Sequence, residues 1–339
     1  MQQKLFTLSE YNEVLKNQPV SDEASYMLAK KYNSQLTKPE GSLGKLETLA
    51  LFFAGWQGVS KPKLDKVQIA IFAGNHGVAN QGVSAFPSEV TEQMVLNFKH
   101  GGAAINQLAN VFDAKLDIYS LSLTSPTKDF TKQEALTEDE CMEAINIGWN
   151  SVDPESDLFL AGEMGIANTT SAAAIAAALC DDLGSKWVGR GTGVTDLVLE
   201  KKIKVVNKGL SIHCSDRPSP LTILQRLGGR EIAAIVGAIS SARHKKIPFL
   251  LDGFICSAAA LVLQKTQPAA LTHVIAAHQS AENAHKLMLE ELGLEPLLSL
   301  GLRLGEGSGA AVAIGVIKAA IACHSSMSTF SSAGVANKE

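Results

Sequence analysis

Residues Val67–Gly77 read V-Q-I-A-I-F-A-G-N-H-G. A nearly continuous apolar run with β-branched residues stops at Gly74 and gives way to a polar turn flanked by glycines. Such a run is too short for a buried helix and fits a strand covered on both faces. The same unit recurs along the chain. Leu116–Leu123 is a second run, Asp157–Ala161 stops at Gly162, Lys186–Val188 at Gly189, Pro248–Leu251 at Asp252, and Leu271–Ala276 near His278. Helical patterns lie between them, over Pro87–Phe98, Ala103–Val111, Thr137–Asn150, Thr170–Leu183, Leu197–His213, Leu221–Ser241 and Gly253–Lys265.

Apolar strands alternating with helices predict an α/β fold: a mostly parallel, Rossmann-like sheet with helices on both faces. Ligands of such sheets bind outside the carboxyl ends of the strands. The polar, glycine-rich clusters fall there: Gly74-Asn75-His76-Gly77, Gly162-Glu163-Met164-Gly165, Gly189-Arg190-Gly191-Thr192-Gly193, Asp252-Gly253 and His278-Gln279-Ser280. Their recurrence at strand ends points to one site. Upstream, residues 1–60 read as helical with polar faces. Pro39 and Gly41 mark a turn, Ser42 is placed to cap a helix running to about Trp56, and Lys61-Pro62-Lys63 reads as the break before the main domain.

Composition narrows the function. The chain has 339 residues, 46% hydrophobic and 19% charged, with a net charge of −4. No block of like charges suggests nucleic acid or an anionic membrane surface as a partner. The cysteines (Cys141, Cys180, Cys214, Cys256, Cys323) are scattered without metal-ligand spacing and read as reduced thiols. The amino terminus lacks the apolar core of a signal peptide, so a cytoplasmic location is expected. The longest apolar stretches, such as Ser171–Cys180, read as too short to span a bilayer. The segment from Gly184 to Gly191 begins with P-loop spacing, but Arg190-Gly191 stands where Lys-Ser/Thr is required. No dinucleotide fingerprint, nucleophile elbow or tight metal motif is present.

Leu300–Ala313 reads L-G-L-R-L-G-E-G-S-G-A-A-V-A. It sets Glu306 between Gly305 and Gly307, with Arg303 just upstream and a helix-like run beyond. Glycines on both sides permit positive φ and close approach to a ligand. The turn opens a helix whose free N–H groups suit an anion. The segment therefore offers a base, a cation and an anion cradle, although an acidic first turn is also favoured by the helix dipole alone. His76 and His278 can act as acid or base, or simply order their loops. Arg190 can bind phosphate or brace its own loop, and adjacent Lys201-Lys202 reads as a solvated face.

Several segments together carry a resemblance. They are Lys38–Glu47 (K-P-E-G-S-L-G-K-L-E), Ala73–Phe98, Gly162–Thr170 (G-E-M-G-I-A-N-T-T), Gly189–Gly193, Leu227–Ala238, Leu251–Phe254 and Glu295–Ala310. In this order, over nearly the whole chain, they resemble the nicotinate-nucleotide–dimethylbenzimidazole phosphoribosyltransferase family. That resemblance implies transfer of the phosphoribosyl group of nicotinate mononucleotide to 5,6-dimethylbenzimidazole, giving α-ribazole 5′-phosphate and nicotinate in cobalamin assembly. It implies no cofactor and no metal. It puts Glu306 in the role of catalytic base, Ala85, Phe86, Gln93 and Leu304 around the benzimidazole, and Glu163 as a second acidic residue. Gly165, Lys202, Ser280 and Arg303 match phosphate or ribose contacts.

The resemblance also implies a homodimer with active sites near the subunit interface. A small helical domain from both chain ends (1–62 with 315–339) would accompany a large catalytic domain (63–314). Asn75, Ala167 and Ser308 depart from the family's common Asp, Gly and Thr, and Ala277, Asn283 and Ala284 are atypical around Ser280. These departures leave the acceptor base open. A phosphoribosyl hydrolase and a non-catalytic nucleotide sensor are the rival readings, and the intact Gly305-Glu306-Gly307 argues against the sensor.

Overall fold

The structure, a computed structural model, describes residues 7–191 and 193–336. The first six positions of the helical amino-terminal region, Thr192 of the Gly189–Gly193 cluster and residues 337–339 of the carboxy-terminal unit lie outside the described residues. The apolar run before Gly74 is strand β1 (Val67–Ala73), buried along its whole length. With β2 (Lys115–Ser120), β3 (Leu158–Met164), β4 (Phe249–Leu251) and β5 (Val274–Ala276) it forms a five-stranded sheet in the order β2-β1-β3-β4-β5. Every pairing is parallel. The chain changes its direction of winding between β1 and β3, and the cleft lies at the carboxyl ends of β3, β4 and β5.

The helices are α1 (Leu8–Lys16), α2 (Glu23–Asn33), α3 (Lys45–Gln57), α4 (Glu89–Lys99), α5 (Ala104–Phe112), α6 (Glu138–Ser151), α7 (Asn168–Leu179) and α8 (Gly184–Trp187). They continue as α9 (Asp196–His213), α10 (Pro220–Leu227), α11 (Arg230–His244), α12 (Phe254–Thr266), α13 (Asn283–Leu292), α14 (Ser308–Ser326) and α15 (Phe330–Ala333). Alternate strand residues feed two cores, as the two-residue period of a strand requires. Ala70, Phe72, Phe159, Ala161, Phe249 and Leu251 face α6, α7 and α10–α12. Ile69, Ile71, Leu158, Leu160, Leu250 and Ile275 face α3, α5 and α14. Helices from both chain ends meet on this second face. Leu49 and Phe53 of α3 share its core with Ile314 and Ile317 of α14, and Leu36 bridges to Thr329. Residues 314 and 315 both lie within the continuous helix α14.

Some expectations are corrected. Lys186–Val188 is not a strand: residues Gly184–Trp187 form a single helical turn, with Trp187 buried and its Nε1 donating to Asp182 at 3.2 Å. A run of three residues between Ser185 and Gly189 is too short to commit the backbone to a strand. The helix expected over Leu221–Ser241 is two, broken at Gly228-Gly229, where a Cβ on Gly229 would lie 2.2 Å from His76 Cε1. Ser42 does not cap α3, which starts after Gly44 at φ +54°. Helix α14 is long and apolar enough to cross a membrane by length and composition. Its Ala310, Ala311, Ile314, Ile317 and Ile321 are instead consumed by the core under the sheet.

The tightest helix packing is between α6 and α11. A Cβ at Gly148 would lie 1.7 Å from the Ala234 carbonyl oxygen, and one at Gly237 would lie 2.0 Å from that of Ile145. Backbone meets backbone at both points, so neither partner can swing aside. Gly148→Ala is expected to destabilise the fold by about 1–3 kcal/mol, the usual range for overpacking. Urea unfolding checks this, and an unchanged midpoint would contradict the close contact.

Candidate active site

Strand β3 carries Gly162-Glu163 close to its end at Met164, and the two faces of the sheet meet over that end. Gly162 lies against the backbone of Glu306: a Cβ there would fall 2.4 Å from the Glu306 carbonyl carbon. Only glycine allows the Leu300–Ala313 segment to settle on β3. The segment turns by three consecutive left-handed residues, Gly305 (φ +86°), Glu306 (φ +62°) and Gly307 (φ +76°). A non-glycine residue in this region stores roughly 1–3 kcal/mol of strain and is held only by its surroundings. Glu306 is buried, and its Oε2 has no hydrogen-bond partner among the described residues. Burial raises its carboxyl above the ordinary range, the Ile105 N–H at the start of α5 works against that, and Asp252 adds to it.

Glu163 approaches the same turn, and a Cβ on Gly305 would lie 2.5 Å from its Oε1. Asn168 Nδ2, at the start of α7, donates to Glu163 Oε2. Burial, then the charges of Asp252 and Glu231, push Glu163 up to about 8, so it holds a proton at neutral pH. Asp252 follows β4. Its Oδ1 accepts from the Ala310 N–H at 2.9 Å and lies 3.2 Å from His278 Nε2. Glu231 is wholly buried behind the site, 2.6 Å from His76 Nε2, while His76 Nδ1 lies 3.0 Å from Ser171 Oγ.

A cleft of about 750 Å³, counting its open mouth, opens beside these groups. Glu163, Asp252, His278, Ser280, Arg303 and Leu304 line it. Gly165 lines it as well and must be glycine, because a Cβ would meet the Gly74 carbonyl oxygen at 2.6 Å. At the far end, Lys202 on α9 is buried and donates to Thr169 Oγ1 at 3.0 Å and the Gly189 carbonyl at 3.1 Å. Burial lowers it to about 8, opposed by Glu282. It forms no ion pair among the described residues. Thr169 and Gly191, which border it, line the cleft. Among the described residues no cluster of three or more His, Cys, Asp or Glu is arranged for a metal ion.

The structure therefore gathers Glu306, Glu163, Gly165, Lys202, Ser280, Arg303 and Leu304. It does not bring Ala85, Phe86 and Gln93 onto the cleft: all are exposed, the first two in the loop before α4 and Gln93 on α4 itself. His76 orders its loop from within the core, and Arg190 braces its own loop through Asp196 and the Val194 carbonyl. Lys202 is not a solvated face, since α9 turns it inward. Sequence reasoning assigned no role to Asp252, Glu231 or Asn168. Asp252 had a signal, a lone acid ending an apolar strand.

Known proteins share this architecture. A family profile described as phosphoribosyltransferase matches residues 18–335. The chain is 54% identical over 333 residues, covering 98% of both chains, to a nicotinate-nucleotide–dimethylbenzimidazole phosphoribosyltransferase of Ruegeria pomeroyi. It is 55% identical over 331 residues, again 98% of both, to one of Roseobacter denitrificans. The chain belongs to this phosphoribosyltransferase family. A crystal structure of the Thermus thermophilus member superposes with a TM-score of 0.87 at 36% identity, covering 94% of this chain and 100% of that one.

Within the family frame, Ala167 is informative. It precedes α7 at φ +76°, the same conformation that Gly307 adopts before α14. A side chain there costs about 1–2 kcal/mol. Ala167→Gly should therefore raise the unfolding free energy by about 1 kcal/mol, part of the relief being offset by glycine's unfolded-state entropy. Thermal melting tests this, and a lowered Tm would refute the strain.

Proposed function

We propose that the chain transfers the 5-phosphoribosyl group of nicotinate mononucleotide to 5,6-dimethylbenzimidazole, giving α-ribazole 5′-phosphate and nicotinate. The observation that carries this reading is Glu306: a buried carboxylate with an unpartnered oxygen, held in a left-handed turn beside the cleft. An acceptor ring attacks ribose C1′ through its bare nitrogen lone pair. The C1′–N bond to the pyridinium breaks with its electrons going to nicotinate, a leaving group that needs no acid. The acceptor's other nitrogen sheds its proton, and Glu306 receives it. Attack opposite the leaving group turns the β anomer into the α anomer.

A carboxylate raised by burial is a stronger base than one in water and suits this step. Glu163, protonated at neutral pH, is not the base and acts as a hydrogen-bond donor toward substrate or Glu306. Lys202 is a buried cation with no direct ion pair among the described residues, Glu282 acting on it only from a distance, which leaves it for a phosphate dianion. Gly165, Ser280 and Arg303 complete that contact. Leu304 offers an apolar wall to the acceptor, with Ala85, Phe86 and Gln93 as its outer contacts.

The reading extends to a homodimer with active sites near the interface and to a cytoplasmic location. The exposure of Phe86, Leu300 and Leu304 supports a covering partner, because such apolar side chains mark contact surfaces when they cluster. It also extends to a helical unit (1–62 with 315–339) beside a catalytic body (63–314), supported by the packing of α3 on α14.

Nicotinate release from nicotinate mononucleotide, with and without dimethylbenzimidazole, tests the reaction. Release should require the acceptor, and Glu306→Gln should lower kcat by about 10²–10⁴-fold. Release that ignores the acceptor would make the protein a hydrolase, and full activity in Glu306→Gln would move the base to Glu163.

The pH profile of kcat/KM should be bell-shaped. The rising limb is the deprotonation of Glu306, displaced above the usual carboxylate range. The falling limb, near pH 8, is loss of the Lys202 proton and with it the charge that attracts phosphate. Lys202→Gln should abolish the falling limb; if it persists, Glu163 is its source.

A further inference from the structure

We propose that Asp252, steadied by His278, is the acceptor for a ribose hydroxyl of the nucleotide donor; this rests on the reaction proposed above. Asp252 lines the cleft at the carboxyl end of β4; its Oδ1 accepts from the Ala310 N–H and lies 3.2 Å from His278 Nε2. Its Oδ2 makes no hydrogen bond among the described residues and faces the cleft open. His278 also lines the cleft and is 4% exposed, yet neither of its ring nitrogens completes a hydrogen bond among the described residues. Buried polar groups are ordinarily paired, so the unpaired His278 nitrogens beside the free Asp252 Oδ2 at a cleft wall are set aside for a ligand.

The contrast with His285 sharpens this. His285 accepts from the Ser280 N–H at 2.8 Å and meets Ser257 Oγ at 3.1 Å, so both its nitrogens are used within the protein. It fixes the Ser280 loop, and the His278 ring packs edge-on against it with centroids 5.9 Å apart.

Chemistry selects which part of the donor Asp252 meets. Asp252 is anionic and repels the donor's phosphate and nicotinate carboxylate. Among the donor's remaining groups, only the ribose 2′- and 3′-hydroxyls can donate a hydrogen bond. Lys202, the buried cation, sits at the other end of the cleft beside Thr169 and Gly191 and takes the phosphate. The sugar then lies between the two ends, its hydroxyls toward β4 and β5. Because Oδ1 also accepts from the first turn of α14, the same side chain ties sugar position to the helix that follows Glu306. Asp252 thus touches substrate, and His278 is a positioning residue acting through it.

The test compares nicotinate mononucleotide with its 2′-deoxy and 3′-deoxy analogues on wild type, Asp252→Asn and His278→Asn, all with saturating dimethylbenzimidazole. In Asp252→Asn the amide oxygen can still accept from Ala310, which preserves the start of α14. Loss of a hydrogen bond to a charged acceptor predicts that kcat/KM for the full donor falls about 10- to 100-fold in Asp252→Asn. It should fall less than about threefold for the analogue lacking the bonded hydroxyl. His278→Asn should show the same hydroxyl dependence at smaller size. An equal fall on all three donors in both variants would overturn the proposal, because the groups would then act on folding or charge alone. Wild type that turns over the full donor while the comparison is additive defeats only this inference. Wild type without acceptor-dependent release defeats the reaction itself.

Discussion

The site depends on one backbone contact: the missing side chain of Gly162. Any Cβ there would collide with the Glu306 carbonyl, and with Ile71 Cδ1 at 2.5 Å. Without this contact, the Gly305-Glu306-Gly307 turn could not rest on the end of β3. Helix α14 could not then start beneath the sheet with its apolar residues facing Leu158 and Leu160. The turn's left-handed backbone is held by what surrounds it: Gly162 below, Glu163 beside it, and the Asp252–Ala310 bond at the first helical turn. Strain at Glu306 is therefore held by the large apolar core of α14, which has ample burial to offset it.

The same arrangement explains how much of this was legible in the sequence. Strands buried on both faces announce themselves as short apolar runs, so β1, β3 and β4 were readable together with the turns that follow them. Lys186–Val188 failed because three apolar-flanked residues carry too little information to distinguish a strand from one helical turn. Gly228-Gly229 was hidden inside a helical period because its reason is distant: His76 and Glu231 occupy the space where side chains would go.

The site was legible where glycines and acids shared a strand end. Gly305-Glu306-Gly307 and Gly162-Glu163 could be found, since chemistry and backbone freedom coincided in a few residues. Lys202 could not be told from Lys201 by pattern, because only the rotation of α9 decides which one enters the protein. The family resemblance singled out Lys202, which is the one α9 turns inward. Asp252, Glu231 and His278 form partnerships across strands far apart in the chain, and no local spacing records them. The exposed positions of Ala85, Phe86 and Gln93 show the converse limit: a motif can locate residues on a segment without placing them on the cleft of a single chain.

The distribution of charge is the last constraint. Glu163, Glu231, Asp252 and Glu306 crowd one end of the site with few cations among them, and this crowding adds to burial in lifting Glu163 to about 8. Lys202 and Arg303 provide the cations. A cleft polarised in this way has little use for a uniformly charged ligand. It fits a molecule whose anionic phosphate is separated by a sugar from a ring carrying positive charge. A positive charge that develops beside Asp252 and Glu306 is attracted by both. Buried carboxylates without counter-ions are costly in the empty protein. They become favourable when such a charge develops beside them.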